Sequence, residues 1–433
     1  MTDSCWTCEE SVMTTSNPEA ARLPLGASEP LGGLGGVPTI DADPFGHDIL
    51  EDPSEFHEQL RGAGRVVYLS RYDVFAMGRY ADVRAALVDW QSFQSAAGVG
   101  LSNFKYEKPW RPPSLLLESD PPHHDAPRVV LSSILSVRAL RKLRDGWMAD
   151  AEQLVGDLAE RATGKVLEID GYADLAAAFP IRVFPDAVGI GKEGRENLLP
   201  YGDHLFNAFG PSNDLVQKGA DRIGDISTWV IAQCARDALT AGGFGEAIWA
   251  AADRGDITHE QAPLIVRSLL SAGVDTTVHG IAAVLHAFAS HPHEWDALRG
   301  DRDRIRVAFD EAVRWESPVQ TFFRTATTDV RIGDVTIPEG RKILMFLGAA
   351  NRDPRRWDNP DVYDLARDPS GHVGFGMGIH QCVGQHVARL EAEALLHALL
   401  DRVCRIEIAE TPERHHNNTL RAWKSIPLRF HLS

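Results

Sequence analysis

The sequence predicts a mainly α-helical protein with a small β part, folded as one large domain. Composition stays uniform after residue 40, and no internal repeat appears. We therefore expect a single domain over residues 41–433, preceded by a flexible tail over residues 1–40 that is rich in Pro, Gly, Ser and Thr. Apolar residues recur at helical spacing over most of the domain. The clearest helical segments are 139–161, 218–240, 261–290, 303–316 and 384–403.

The β part is confined to two places. Alternating residues from Arg65 to Met77 predict a hairpin that turns at residues 70–73. A second group of strands is predicted from Val330 to Gly348, with a turn at residues 338–340.

Composition and charge narrow the class of protein. The chain has 433 residues, with 44 Lys and Arg against 61 Asp and Glu, for a formal net charge of −17. So acidic a chain is expected to be a soluble monomer and a poor nucleic-acid binder. Five sparse cysteines argue against a disulfide framework. With no apolar run of 18 residues and no signal peptide, we expect a cytoplasmic location and no membrane span.

Two motifs in the tail are interpreted as carrying no chemistry. Cys5 and Cys8 have zinc-ligand spacing, but no second Cys/His pair lies nearby. The glycine run at 32–36 has no preceding strand and no following helix, so we interpret it as a linker.

A glycine-rich loop around one cysteine is the strongest functional signal. Residues 375–384 contain three glycines and Cys382, and a helical segment follows. Backbone N–H groups and the dipole at a helix N-terminus favour a thiolate there. A thiolate is a strong axial donor to haem iron and favours O–O cleavage. The alternative is a buried structural cysteine in a tight loop.

The loop has the pattern F-x-x-G-x-H-x-C-x-G and resembles the haem loop of the cytochrome P450 family. Glu311-x-x-Arg314 and the run 349–354 also resemble that family, and the resemblance covers about residues 41–433. It implies a triangular helical prism with haem b between a long central helix and the helix after the loop. Cys382 would bind the iron, and Phe375 would lie in the haem loop. The longer tail and Met377 depart from the pattern without affecting this chemistry.

The centre of segment 261–290 breaks the rules for an apolar helix. Residues 272–277 read Ala-Gly-Val-Asp-Thr-Thr, where Gly and Thr weaken a helix and a buried Asp is costly. The P450 resemblance makes Asp275 and Thr276 the acid–alcohol pair that delivers protons for activation of O₂. A Thr hydroxyl that bonds to the preceding turn opens a groove for O₂ and water. An ordinary helix kink is the alternative.

Cationic residues are expected around the two haem propionates. By the resemblance, these residues are His124, Arg128, Arg324 and His380.

The chain further resembles one P450 subgroup, the bacterial monooxygenases of para-substituted benzoates such as 4-methoxybenzoate O-demethylases. Segments 108–114, 206–210, 267–273 and 317–324 carry this resemblance. It implies that Arg111, Ser114 and Ser268 hold a carboxylate, with Arg267 beside them. It implies an aromatic-ring pocket walled by Leu117, Phe206, Phe209, Ala272, Val319, Phe322 and Leu420.

Helix geometry supports this interpretation. Ser268, Ala272 and Thr276 share one helix face, and two turns separate Ser268 from Thr276, ~12 Å along the axis. That length suits a para-substituted benzoate, and phenylalanines suit a flat ring. A terpenoid or fatty-acid substrate is the main alternative.

No flavin, dinucleotide or iron–sulfur motif is present, so electrons are expected from outside. The resemblance implies a ferredoxin with an NAD(P)H-dependent ferredoxin reductase. The cationic run Arg138, Arg141, Lys142 and Arg144 is a candidate docking site for an acidic ferredoxin, or else a solvated helix face. Two further alternatives are a haem-thiolate sensor and an H₂O₂-driven peroxygenase, which typically replaces the acid–alcohol pair.

Overall fold

The computed structural model describes residues 36–433, and helices supply most of its ordered chain. A π-helix over Gly171–Ala177 runs into one of the α-helices. The α-helices are α1 His47–Glu51, α2 Ser54–Ala63, α3 Tyr80–Val88, α4 Asp125–Ile134, α5 Val137–Ala159, α6 Ala178–Val188, α7 Leu198–Asn207, α8 Asp214–Gln233, α9 Phe244–Asp253, α10 Gln261–Ala272, α11 Asp275–Ser290, α12 Pro292–Gly300, α13 Ile305–Glu316, α14 Leu347–Asn351 and α15 Gln385–Arg402.

The strands of the described residues form one six-stranded sheet and three smaller ones. Their bounds are β1 Thr39–Ile40, β2 Val67–Leu69, β3 Val74–Met77, β4 Phe93–Gln94, β5 Val166–Asp170, β6 Thr321–Ala326, β7 Val330–Ile332, β8 Val335–Ile337, β9 Lys342–Phe346, β10 Val403–Ile408, β11 Glu413–His416, β12 Arg421–Ser425 and β13 Pro427–Leu432. The largest sheet has the order β1-β2-β3-β9-β6-β4, and β10-β13-β5 is the next. Antiparallel pairing of β6 with β9 places Arg324 opposite Ile343.

The predicted hairpin and second strand group are confirmed. Strands β2 and β3 pair antiparallel around a 3₁₀ turn at Ser70–Tyr72. The second group contains β7, β8 and β9, and Gly340 in the predicted turn has a φ of 78°. The prediction that strands are confined to these two places was wrong. It missed β1, β4, β5, β6 and the strands after residue 402, because these short segments lack a strong alternation or turn signal.

The predicted long helices are present, with two differences. Segment 218–240 ends at Gln233, where Ala235 adopts extended backbone and Trp249 Nε1 donates to Cys234 O. Tertiary contacts therefore end this helix earlier than its composition predicts.

Segment 261–290 is interrupted between α10 and α11, at Gly273 and Val274. A Cβ atom on Gly273 would lie 2.5 Å from Leu269 O and 2.6 Å from the ring of Phe184, so this position accepts only glycine. Among the described residues, Gln261–Ser290 is one segment that is long and apolar enough to cross a membrane. However, 72% of its most apolar 18-residue window is buried inside the protein.

Val37–Ser433 packs as one compact unit. A buried ion pair holds its centre: Arg314 Nε and Nη2 donate to the two carboxylate oxygens of Glu311 at 2.7 and 2.8 Å. Arg314 Nη1 also donates to Asn351 O, and Asn351 Oδ1 accepts from Val373 N just before the cysteine loop. This network fixes the loop to α13. The predicted tail, with Cys5 and Cys8, lies almost entirely outside the described residues.

Candidate functional site

The cysteine loop turns tightly and presents Cys382 at the start of α15. Gly376 and Gly378 have φ values of 66° and 69°, and Cys382 N donates to Phe375 O at 2.8 Å. A Cβ atom on Gly378 would lie 2.8 Å from Leu87 O. The glycines thus let the loop approach α3 while the sulfur faces a cavity.

The surroundings of the sulfur act on its pKa in opposite directions. Burial raises the pKa of the Cys382 thiol. The backbone N–H groups of Gly384 and Gln385 and the guanidinium groups of Arg128 and Arg389 counteract that effect, because they stabilise the thiolate. Donors aimed at the sulfur suit a thiolate that binds a metal.

The cavity beside Cys382 extends from the loop to α10 and α11. The empty space between its walls, including the open mouth, is about 1700 Å³. The walls are mostly apolar and include Leu131, Leu135 and Val387. An apolar cleft that reaches a cysteine at one end and a few polar side chains at the other is typical of a cofactor or ligand site.

Three of the four predicted propionate donors line this cavity: Arg128, Arg324 and His380. Burial lowers the pKa of Arg324 to about 10, and its Nη1 donates to Phe323 O at 2.9 Å. Both ring nitrogens of His380 face protein oxygens, Leu116 O at 3.0 Å and Asp120 Oδ1 at 3.1 Å.

His124 lies behind His380, with ring centroids 4.7 Å apart. Its Nε2 is buried and has no hydrogen-bond partner within residues 36–433. A haem with its two propionates fits this site. The site supplies two arginines, an unpartnered imidazole nitrogen and a sulfur at a helix N-terminus.

Both threonines of the central helix line the cavity. Thr276 Oγ1 donates to Ala272 O at 2.8 Å, and Thr277 Oγ1 donates to Gly273 O at 3.3 Å. These bonds cross the interruption between α10 and α11, as the sequence predicts for a groove beside the iron.

Asp275 points away from the cavity. Its side chain packs under α7, where a Cβ atom on Gly202 would lie 2.7 Å from Asp275 Cβ. The predicted acid–alcohol pair is therefore divided, with the hydroxyl in the cavity and the carboxylate behind the helix.

Charged groups collect where α10 meets the 111–118 loop. Arg111 Nη1 lies 3.0 Å from Glu118 Oε2, and Arg267 Nη2 donates to Pro112 O at 2.7 Å. Arg111 and Arg267 both line the cavity, and all three charged side chains are largely buried. Two cations and one anion leave this cluster with one net positive charge.

The hydroxyls of the predicted carboxylate site already have local partners. Ser114 Oγ accepts from Leu117 N at 3.1 Å, and Ser268 Oγ donates to Leu264 O at 3.0 Å. Each can make a further hydrogen bond, because a hydroxyl both donates and accepts.

The predicted ring wall is mostly present. Leu117, Phe206, Ala272, Val319 and Phe322 line the cavity. Phe209 and Leu420 form a second layer in the same apolar cluster, so they support the wall without lining it.

Sequence reasoning missed Glu118, Ser271, Tyr201 and Phe184, which line or border this cavity. Ser271 had a detectable signal, since it lies one turn from Ser268 on α10. The others depend on how distant segments pack.

Comparison with known proteins agrees with this geometry. Cytochrome P450 CYP199A2 of Rhodopseudomonas palustris is 55% identical over 395 residues, which cover 91% of this chain and 95% of that protein. This chain belongs to the cytochrome P450 family. The Cytochrome P450 family model matches residues 244–426. A beta-dihydromenaquinone-9 omega-hydroxylase of Mycobacterium bovis is 31% identical, covering 88% of this chain and 76% of that protein.

Solved P450 structures share the fold. The structure of CYP109Q5 from Chondromyces apiculatus aligns with a TM-score of 0.75 at 27% identity, covering 91% of this chain and 99% of that one. P450BioI, solved with an acyl carrier protein that carries hexadec-9Z-enoic acid, aligns with a TM-score of 0.77 at 26% identity, covering 88% and 100%.

The chain is therefore a P450 monooxygenase that binds haem b and uses O₂ with an external electron donor.

Proposed function

We propose that this P450 oxidises small para-substituted aromatic carboxylates, such as 4-methoxybenzoate, by hydroxylation or oxidative O-demethylation. The observation that carries the proposal is the buried cluster of Arg111, Arg267 and Glu118 beside the cavity. Its single net positive charge matches one carboxylate. Burying a carboxylate without partners is costly, so an apolar cavity that holds one must supply donors.

The positions of two hydroxyl residues on the cavity wall support an end-on orientation of the ring. Ser268 on α10 and Thr276 on α11 both line the cavity, and a spacing of eight helical residues corresponds to roughly 12 Å. A carboxylate held near Ser268 leaves the para substituent near the cysteine loop. The apolar residues between these ends suit an aromatic ring. A terpenoid would leave the net positive charge of the cluster without a counter-ion, and a long-chain fatty acid would exceed the distance between the two ends.

Haem, when bound, supplies the iron centre at which O₂ is reduced and one oxygen atom is transferred to the substrate. We propose that Cys382 binds the iron and that the charges of Arg128 and Arg324 neutralise the propionates. His124 would donate a hydrogen bond from its unpartnered Nε2, and His380 would donate one by giving up its contact with Leu116 O or Asp120. The Thr276 hydroxyl holds a proton at the cavity wall, where it donates to Ala272 O in this structure. Asp275 supplies that proton from behind the helix.

Electrons are proposed to come from a ferredoxin that is reduced by an NAD(P)H-dependent reductase. The groove between α5, α13 and α15 contains Arg141, Arg144, Arg302 and Arg306. It borders α15, the helix that begins beside Cys382. A cationic groove on an acidic protein would attract an acidic partner. We also propose a cytoplasmic location, where NAD(P)H and a ferredoxin would be available.

The test of the substrate proposal is a binding titration read by the haem Soret band. We expect 4-methoxybenzoate to bind wild type more tightly than its methyl ester, because the ester leaves the donors of the cluster unpaired. Charged hydrogen bonds contribute about 1.5–3 kcal/mol each, so Arg111→Ala should weaken binding of the acid by roughly ten- to a hundredfold.

Arg236→Ala is the control variant, since Arg236 pairs with Asp253 on the surface. It should bind the acid as wild type does. Equal affinity of wild type for acid and ester would contradict the proposal.

A further inference from the structure

Asp275 is paired with a histidine on its own helix. His279 Nε2 lies 3.3 Å from Asp275 Oδ1, one helix turn away, and both side chains are at most 4% exposed. The Tyr172 ring stacks on His279 with 5.8 Å between ring centroids and 15° between the planes. An imidazole in contact with a buried carboxylate can pass a proton to it.

One atom on each partner lacks a hydrogen bond. Among the described residues, Asp275 Oδ2 and His279 Nδ1 are buried without a hydrogen-bond partner. Native proteins rarely leave buried polar atoms unpaired, and ordered water commonly fills such positions. Asp275 Oδ2 lies towards Gly202 on α7. The next residue is Asp203, which is close enough to His279 for the charge of that histidine to lower the Asp203 pKa.

Asp203 belongs to a second acid–histidine pair that reaches the surface. His415 Nε2 donates to Asp203 Oδ1 at 2.7 Å, and the His415 side chain is 43% exposed. Asn417 Nδ2 also donates to Asp203 Oδ1, at 2.8 Å.

The two pairs influence one another electrostatically. Burial raises the pKa of Asp203, but the hydrogen bond and charge of His415 outweigh that effect, and His279 contributes in the same direction. Asp203 and Asp275 both contribute to the raised pKa of His415. Three titratable groups face the Asp275–His279 pair from other elements: Tyr172 on the π-helix, Asp203 on α7 and His415 on β11.

We propose that His279 is a positioning residue that holds Asp275 towards α7 and connects it, through water, to the Asp203–His415 pair at the surface. The inference rests on the proposed proton-supplying role of Asp275. A proton from solvent binds His415, moves to Asp203 and crosses the water to the Asp275–His279 pair. Asp275 then passes the proton towards the Thr276 hydroxyl. Each group that gives up a proton is protonated again by the preceding group in the path.

The first experiment compares His279→Asn with His286→Asn in the haem-loaded enzyme. His286 is a matched control, because it is a half-buried histidine on α11 that packs against Trp315 and Trp423 and whose Nδ1 lacks a hydrogen-bond partner among the described residues. The probe is oxidation of 4-methoxybenzoate with NADH, a [2Fe–2S] ferredoxin and its reductase.

We expect His279→Asn to lower kcat by about tenfold or more, since a positioned proton-transfer group contributes roughly 10²–10⁴-fold. Its KM should stay unchanged, and its solvent deuterium isotope effect on kcat should rise. His286→Asn should match wild type. A wild-type kcat and isotope effect in His279→Asn would overturn the proposal, whereas a wild-type kcat in Asp275→Asn would overturn the underlying role of Asp275.

A second measurement is independent of turnover and of the benzoate proposal. It follows the ring N–H proton of His279 by NMR in enzyme labelled with ¹⁵N-histidine, reduced and CO-bound, without substrate. We expect this proton to exchange with water more slowly in His415→Gln and in Asp203→Asn than in wild type, because each variant removes the surface end of the path. Unchanged exchange in His415→Gln would overturn the connection to the surface.

Discussion

The guanidinium of Arg111 lies 3.0 Å from the carboxylate of Glu118 inside the protein, with side-chain exposures of 11% and 3%. Glu118 Oε2 also accepts a hydrogen bond from Ser114 N at 2.8 Å. Glu118 thus determines both the position of Arg111 and the net charge of the proposed carboxylate site.

Glu118→Gln should tighten binding of 4-methoxybenzoate by about three- to tenfold, or roughly 0.7–1.4 kcal/mol. Glutamine keeps an acceptor for Ser114 N but leaves the buried charge of Arg111 uncompensated, which is costly until a substrate carboxylate arrives. The measurement is the Soret titration used above. The methyl ester is the control ligand, and its affinity should stay unchanged. Weaker binding of the acid would show that Glu118 acts mainly by orienting Arg111.

Cys382→Ser should abolish both the thiolate-type spectrum of the reduced, CO-bound protein and product formation, because a serine oxygen lacks the donor strength of a thiolate. Cys404→Ser is the control, since Cys404 lies on β10, and it should retain both properties. A thiolate-type spectrum with full turnover in Cys382→Ser would exclude this residue as the ligand.

Thr276→Ala should uncouple electron use from product formation. Haem and substrate binding should persist, while NADH consumption yields peroxide or water and the product formed per NADH falls several-fold. Thr228→Ala is the control, because Thr228 Oγ1 makes the same type of bond to Gly224 O on α8, at 2.9 Å. Unchanged coupling in Thr276→Ala would rule out the hydroxyl as a proton-delivery group.

Much of the site could be predicted because its chemistry depends on short motifs. The cysteine loop requires specific residues within ten positions, and the threonine bonds across the helix interruption are local. The orientation of Asp275 could not be predicted. It depends on Gly202, which is distant in sequence and leaves space for the carboxylate under α7.

The cluster of Arg111, Arg267 and Glu118 could also be predicted only in part. Arg111 and Ser268 are recognisable from the segments around them, whereas the pairing of Arg111 with Glu118 depends on the path of an irregular loop. Helical periodicity also marked residues 261–290 as one helix. The break lies at Gly273, which packs too closely against Phe184 on α6 to carry a side chain, and periodicity does not encode that contact.

Stability at low pH should depend on Glu316, which is buried between two arginines. Arg414 Nη1 and Arg421 Nε both donate to Glu316 Oε1, the latter at 3.2 Å. Burial alone would raise the pKa of Glu316, but the charges of these arginines outweigh it and hold the pKa well below its usual 4.5. The stabilisation is therefore complete above pH 4.5 and is lost as pH falls towards the folded-state pKa.

Glu316→Gln should lower the free energy of unfolding at pH 7 by about 3–5 kcal/mol, because two buried cations lose their partner. Its melting temperature should fall less than that of wild type between pH 5 and pH 3. Glu413→Gln is the control, since Glu413 pairs with Lys424 on the surface. Parallel melting curves of wild type and Glu316→Gln across this range would contradict the assignment.

The interruption between α10 and α11 has an evolutionary consequence. Ser268 and Arg267 belong to the segment before Gly273, while Thr276 and His279 belong to the segment after it. Because the backbone ladder is irregular at Gly273 and Val274, a substitution in one segment should disturb the other less than it would along an unbroken helix. With the roles proposed above, changes in the first segment would alter which acids are accepted, whereas changes in the second would alter proton delivery.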